Sequence, residues 1–230
     1  MKIGIIGAMR EEITFLLHKM SNIKENNYGN HIFYSGNIAD NEVVVVRGGI
    51  GKVASGIVYS TLLYNYPDLE LTVNVGVCGG IFGRITTGEV IVPAAVYYAD
   101  VDLTYFSDYR YGQMSGCPDK FTPNLDLIEP LALPPFRTGT ILSGDCFFCQ
   151  KDKVQTIIDK YFFDDDVLGL DMETAALAQS AYFFKKKFIA IRVVSDLIGS
   201  VQQAEDYNDN LNRAGRISNL FLLEILKNIK

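Results

Sequence analysis

Three carboxylates stand where an acid could act on a ligand: Glu12 in GAMREE, Glu173 in GLDMETAALA and Asp196 in VVSDLIG. Positioned Glu and Asp side chains move protons to and from reacting groups. Asp is also a good helix N-cap, and acids in a first turn suit the helix dipole. Asp171, Glu173 and Asp196 therefore each have an ordinary explanation as helix-entry acids, and Asp171 keeps it. Asp196 follows Ser195 at the end of an apolar run, and open α/β sheets bind ligands at the carboxyl ends of their strands. Of the pair Glu11 and Glu12, only the second is placed to reach a cleft. In a helix expected over 8–20, Met9, Ile13, Leu16, Leu17 and Met20 form one stripe; at about 100° per residue Glu11 points away and Glu12 sits on its margin.

Two glycine-rich stretches accompany these acids. GGIGKVASG (48–56) is not a phosphate loop of the NTPase kind, because Val46 and Val53 stand where Gly and Ser or Thr are required. It reads as a strand-to-helix turn, either a bare backbone for a ligand to approach or a plain tight turn. GVCGG (76–80) reads as a second turn. Neither holds the GxGxxG fingerprint, so a nicotinamide or flavin site is not indicated.

Cys146 and Cys149 have the spacing of a redox or metal pair, but a metal would want a second pair or nearby histidines, and His18 and His31 lie far off. Structural or ligand-lining thiols are expected for these two and for Cys78 and Cys117. No metal site is expected.

The elements that must carry these residues alternate. Strand-like runs fall at 2–7, 31–38, 42–48, 71–77, 88–94, 139–145, 167–171 and 188–196, several of them continuously apolar and β-branched. Helical patterns fall between them at 8–20, 51–65, 152–162, 173–185 and 206–228. In the last, Leu211, Ala214, Ile217, Phe221 and Ile225 form one apolar stripe that should dock on the sheet. The pattern predicts a single α/β domain, a three-layer sandwich around a central mixed, mostly parallel sheet. The stretch 97–121 reads as a long aromatic loop, and such loops are more often functional than decorative.

The chain has 230 residues, 48% hydrophobic and 21% charged, which suits one domain with a full core. A formal charge of −6 without a basic stripe argues against nucleic acid. Lys185, Lys186 and Lys187 are the only cationic run and read as a solvated helix end. MKIGIIGAM runs directly into Arg10 and two acids, unlike a signal peptide, and no apolar run is long enough to span a bilayer. A cytoplasmic protein without membrane contact is expected.

Taken together, MKIGIIGAMREE, GGIGKVASG, SGDCFF, LDMETAA and VVSD closely resemble, in order and spacing, the methylthioadenosine/S-adenosylhomocysteine nucleosidases of the nucleoside phosphorylase superfamily, over residues 1 to about 200. The resemblance implies a single domain over 1–230 that hydrolyses the N-glycosidic bond of 5′-methylthioadenosine and S-adenosylhomocysteine, with no cofactor. It assigns water activation to Glu12, protonation of adenine N7 to Asp196 and the ribose hydroxyls to Glu173, with Met172 under the sugar. Phe147 would stack on adenine, and the backbone of Phe148 would read its Watson–Crick edge. Ile50, Cys78 and Met9 would line the pocket, Ser195 would orient Asp196, and Tyr207 would lid the site. In the family's homodimer the aromatic loop completes the neighbour's pocket, which makes Phe106 and Tyr109 candidate contributions in trans.

The segment LIGSVQQAEDYNDN after Asp196 departs from the family's pattern. The alternatives are a nucleoside phosphorylase, a hydrolase of another 5′-modified nucleoside such as 6-amino-6-deoxyfutalosine, and a non-catalytic nucleoside binder.

Overall fold

The computed structural model describes residues 1–229. Along the chain lie β1 (Lys2–Gly7), α1 (Thr14–Leu17), β2 (Ser21–Tyr28), β3 (His31–Ile38), β4 (Asn41–Arg47), α2 (Lys52–Asn65), β5 (Leu71–Gly80), β6 (Val90–Ile91) and β7 (Ala95–Tyr98). After a long loop follow β8 (Thr140–Ser143), α3 (Lys151–Tyr161), β9 (Val167–Asp171), α4 (Thr174–Phe184), β10 (Lys187–Leu197) and α5 (Gln203–Asn228).

All ten strands join one sheet, in the order β2-β3-β4-β1-β5-β9-β8-β7, with β10 beside β5 and the short β6 beside β10. The pairs β1–β4, β1–β5, β5–β10, β7–β8 and β8–β9 are parallel; β2–β3, β3–β4, β5–β9 and β6–β10 are antiparallel. Alternation along β1 shows how the layers form. Ile3 and Ile5 enter a core shared with Leu16 of α1 and Phe221, Leu222 and Ile225 of α5, while Ile6 enters the opposite one, with Val58 and Leu62 of α2 and Leu177 of α4. Val154 and Ile158 of α3 cover Leu142 and Val167 near the far edge. Each such apolar side chain contributes about 1.5–3 kcal/mol when fully buried. The stripe on α5 docks as its spacing implies: Ala214, Phe221 and Ile225 are buried, and Leu211 and Ile217 pack against the same cluster. Among the described residues no helix is long and apolar enough to cross a membrane.

Several elements differ from the sequence reading. The helix expected over 8–20 shrinks to Thr14–Leu17, because the backbone N–H groups that would start it turn inward onto a carboxylate. β2 was not expected: SNIKENNY is polar and mostly exposed, held as an edge strand by pairing with β3. The run 88–94 shrinks to β6 ahead of Pro93, which has no N–H for a ladder, and β7 follows beyond its end, reaching into the start of the expected loop 97–121. GVCGG is no turn but the end of β5, still paired with β10 through Gly80. Lys186 is not simply solvated either, since its ammonium donates to the carbonyls of Pro67 and Leu69.

Candidate active site

The turn between β1 and α1 is built around Glu12, which is 1% exposed. Its Oε2 accepts the N–H groups of Ala8 at 2.6 Å and Met9 at 2.9 Å, and its Oε1 accepts that of Val77 at 3.0 Å. Asn219 of α5 ties the turn down, donating to the Glu12 carbonyl at 2.6 Å and accepting the Leu16 N–H at 3.2 Å. Burial raises the pKa of the Glu12 carboxyl, while Arg192 and the three backbone donors pull against it.

Arg192 lies fully buried in β10. Its Nε pairs with Asp171 at 2.7 Å and donates to Thr174 Oγ1 at 2.9 Å; Nη2 donates to Asn74 and lies 3.9 Å from Glu173. Nη1 has no hydrogen-bond partner. A methyl group at Gly76 would run into both this atom and the Glu12 carboxylate, so glycine there lets the two groups share one corner. Burial works against the guanidinium charge, but Asp171, Glu173 and Glu12 outweigh it and raise its pKa.

Asp171 thus does more than open a helix. It accepts the Thr174 N–H at 3.3 Å, as a cap would, but it also takes the hydroxyls of Ser143 and Thr174 and forms the ion pair with Arg192. Glu173, 7% exposed at the entry of α4, makes no side-chain cap. Its Oε1 accepts the Gly51 N–H at 3.0 Å. That donor comes from the first glycine turn, where Gly49 and Gly51 hold φ of 84° and 92°, the left-handed region that favours glycine. Burial and the neighbouring Asp171 charge push the Glu173 carboxyl up.

At the end of β10 the register with β5 slips between Val194 and Asp196. No helix starts there, so Asp196 is not a cap; the irregularity re-aims it into the cleft, as bulges beside active sites do. Asp196 is 1% exposed, and its Oδ1 and Oδ2 accept from Ser195 Oγ at 2.6 Å and Gln203 Nε2 at 2.8 Å. Burial raises its pKa, against the two donors.

Aromatic and sulfur groups close the cleft. Phe147 stands at the mouth, half-exposed, with Tyr207 edge-on at 5.5 Å between ring centroids. The Tyr207 hydroxyl donates to the Met9 sulfur at 3.3 Å. Ile50, Phe148 and Met172 complete the wall together with Cys78, whose thiol burial pushes up and so keeps neutral. The open volume is about 80 Å³.

A family model described as the Phosphorylase superfamily matches residues 2–227. The 5′-methylthioadenosine/S-adenosylhomocysteine nucleosidase of Tolumonas auensis is 33% identical, over 100% of both chains, and that of Bacillus subtilis 32%, again over 100% of both. The crystal structure of the Streptococcus pneumoniae MTA/SAH nucleosidase in complex with 8-aminoadenine is similar with a TM-score of 0.93 and 33% identity, covering 100% of each chain. The chain belongs to the methylthioadenosine/S-adenosylhomocysteine nucleosidase family.

Set beside that family's pattern, the cleft gathers Met9, Glu12, Ile50, Cys78, Phe147 and Phe148 from the first half of the expected site. From the second it gathers Met172, Glu173, Ser195, Asp196 and Tyr207. Phe106 and Tyr109 are not among the groups lining it; Phe106 is exposed, and the Tyr109 hydroxyl meets Ser115 at 3.0 Å. Arg192 and Gln203 were missed. A lone arginine inside the apolar run FIAIRVVSD was the available signal for the first, since a charge fully buried in a central strand must be paired. Among the described residues no group of three or more His, Cys, Asp or Glu side chains could hold a metal ion.

Proposed function

We propose that this chain is an N-glycosidase that hydrolyses 5′-methylthioadenosine and S-adenosylhomocysteine to adenine and the thio-ribose. The observation that carries this reading is the pairing, in one pocket, of Asp196 held by neutral donors with Glu12 held beside the unpartnered Arg192 Nη1. Glycosidic cleavage passes through an oxocarbenium-like state that needs a proton on the leaving group and an activated water at the other face. Asp196 delivers its proton to N7 of adenine, and the C1′–N9 bond breaks with its electron pair going to the base. Water bonds to C1′ and gives its proton to Glu12. Glu173 accepts from the ribose hydroxyls above Met172, and Phe147 covers the base.

Phosphorolysis fits worse. A phosphate nucleophile would need free arginines, yet Arg192 is committed to Asp171 and Glu173, and Arg47 and Arg84 do not line the pocket. A non-catalytic binder could use Glu173 for the ribose but would have no use for Glu12 and Asp196 together as base and acid.

The reading extends to residues 1–230 as one nucleoside phosphorylase-like domain, working in the cytoplasm as a homodimer. Exposed apolar groups support the dimer: Val53 and Ile57 of α2 and Phe183 and Phe184 of α4 share one surface patch. The exposed Phe106 is free to reach a neighbour's thioalkyl pocket, with Tyr109 beside it on the same loop.

Incubating the protein with 5′-methylthioadenosine with and without phosphate tests the reaction. Adenine and free methylthioribose in both buffers are expected; a sugar phosphate formed only with phosphate would overturn hydrolysis.

A further inference from the structure

Gln203, the first residue of α5, is 6% exposed and lines the pocket. Its carboxamide is fully engaged. Nε2 donates to Asp196 Oδ2 at 2.8 Å and to the Phe148 carbonyl at 2.9 Å, and Oε1 accepts the Gly199 N–H at 2.8 Å. The partners fix the orientation of the amide, because the flipped form would set its oxygen against two acceptors and its nitrogen against a donor.

The two acceptors bridged by Nε2 are the ones that the nucleosidase reading gives to adenine: Asp196 meets N7, and the Phe148 backbone meets the Watson–Crick edge. On a 6-aminopurine the substituent between N7 and that edge is the exocyclic amino group, itself a planar NH₂ with two donors. A second observation bears on the same place. The open volume of about 80 Å³ is well below the roughly 300–1,000 Å³ of small-molecule sites, so part of the wall must yield to a nucleoside.

We propose that the Gln203 amide holds the place of the purine 6-amino group in the ligand-free pocket and is displaced when the base enters. The inference rests on the nucleosidase reading. It makes Gln203 a competitor for the base's place, and the acceptors it occupies select what may replace it. With the amide in place, both buried acceptors are satisfied without water, and an incoming base must bring two donors of its own. A 6-oxopurine instead presents an oxygen to two acceptors and leaves them unpaired. Displacement also lowers affinity, since each lost hydrogen bond is worth on the order of two- to tenfold. Gln203 lies in LIGSVQQAEDYNDN, where the sequence departs from the family's pattern.

Calorimetric titration of adenine into the wild-type protein, Gln203→Ala and Gln203→Asn tests it. The asparagine keeps an amide at the helix start but is one methylene too short to bridge, and thermal melts establish that each variant folds. Both variants are expected to bind adenine about tenfold more tightly than wild type. Equal or weaker binding by the variants, with wild-type binding intact, would overturn the proposal and make Gln203 a fixed support for Asp196. A wild-type protein that binds no adenine would defeat the nucleosidase reading and this proposal together.

Discussion

The Asp196 carboxyl is pulled in two directions: burial raises its pKa, and the Ser195 and Gln203 donors, which favour the ionised form, lower it. In the proposed reaction it is the acid and must hold a proton, so kcat falls as pH rises through its pKa. Ser195→Ala removes one donor and raises that pKa further. The basic limb of the pH–rate profile is expected to move to higher pH, and a limb that stays or moves down would dissociate Ser195 from the acid. In the same proposal Glu12 has the opposite duty and must be ionised, so its raised pKa sets the acidic limb. Glu12→Gln should lower kcat by about 10²- to 10⁴-fold in steady-state assays with the fold retained. At this scale the sequence was informative where an acid ends an apolar strand or opens a helix, as with Asp196 and Glu173. It was incomplete at Asp171, which does accept the Thr174 N–H as a cap but whose partner Arg192 is remote along the chain and becomes a neighbour only when β9 and β10 join one sheet.

Among elements, β5 and β10 do most to shape the cleft. Gly76 of β5 faces both Arg192 and Glu12, so Gly76→Ala pushes a methyl group between the Glu12 carboxylate and the Arg192 guanidinium. A drop in kcat of at least about tenfold is expected from a displacement of that kind, and an alanine variant with wild-type kcat would contradict the shared corner. Arg192→Leu leaves Asp171 and Glu173 buried without a counter-charge. It should cost about 3–5 kcal/mol in urea denaturation, as breaking buried pairs does. The parallel core of the fold was legible because β1, β4, β5 and β10 are β-branched runs buried on both faces. The short α1 was not, since Met9 to Met20 keep helical spacing while the Glu12 carboxylate, rather than a helical carbonyl, takes the first amides. Polar β2 carries no pattern of its own and depends on its neighbour β3.

For the whole molecule, Glu12, Glu173 and Asp196 all have pKa values raised by folding. At these three groups the native state therefore binds more protons than the unfolded chain. The stability this contributes is complete below the ordinary carboxylate range near about 4 and is lost as pH rises through the raised values. The thermal midpoint should fall across that window, and Asp196→Asn should flatten the fall; an unchanged slope would show that Asp196 is not held protonated by the fold. The proposed homodimer rests on the family resemblance, because the exposed apolar patch on α2 and α4 forms when the two helices pack and has no signature in either segment alone. The most direct test of the account is the release of adenine from 5′-methylthioadenosine in phosphate-free buffer by the wild-type protein and by Asp196→Asn. Steady turnover by the wild type, with the variant slower by about 100-fold or more, is the expected result. No adenine from the wild type, or undiminished release by the variant, would contradict it.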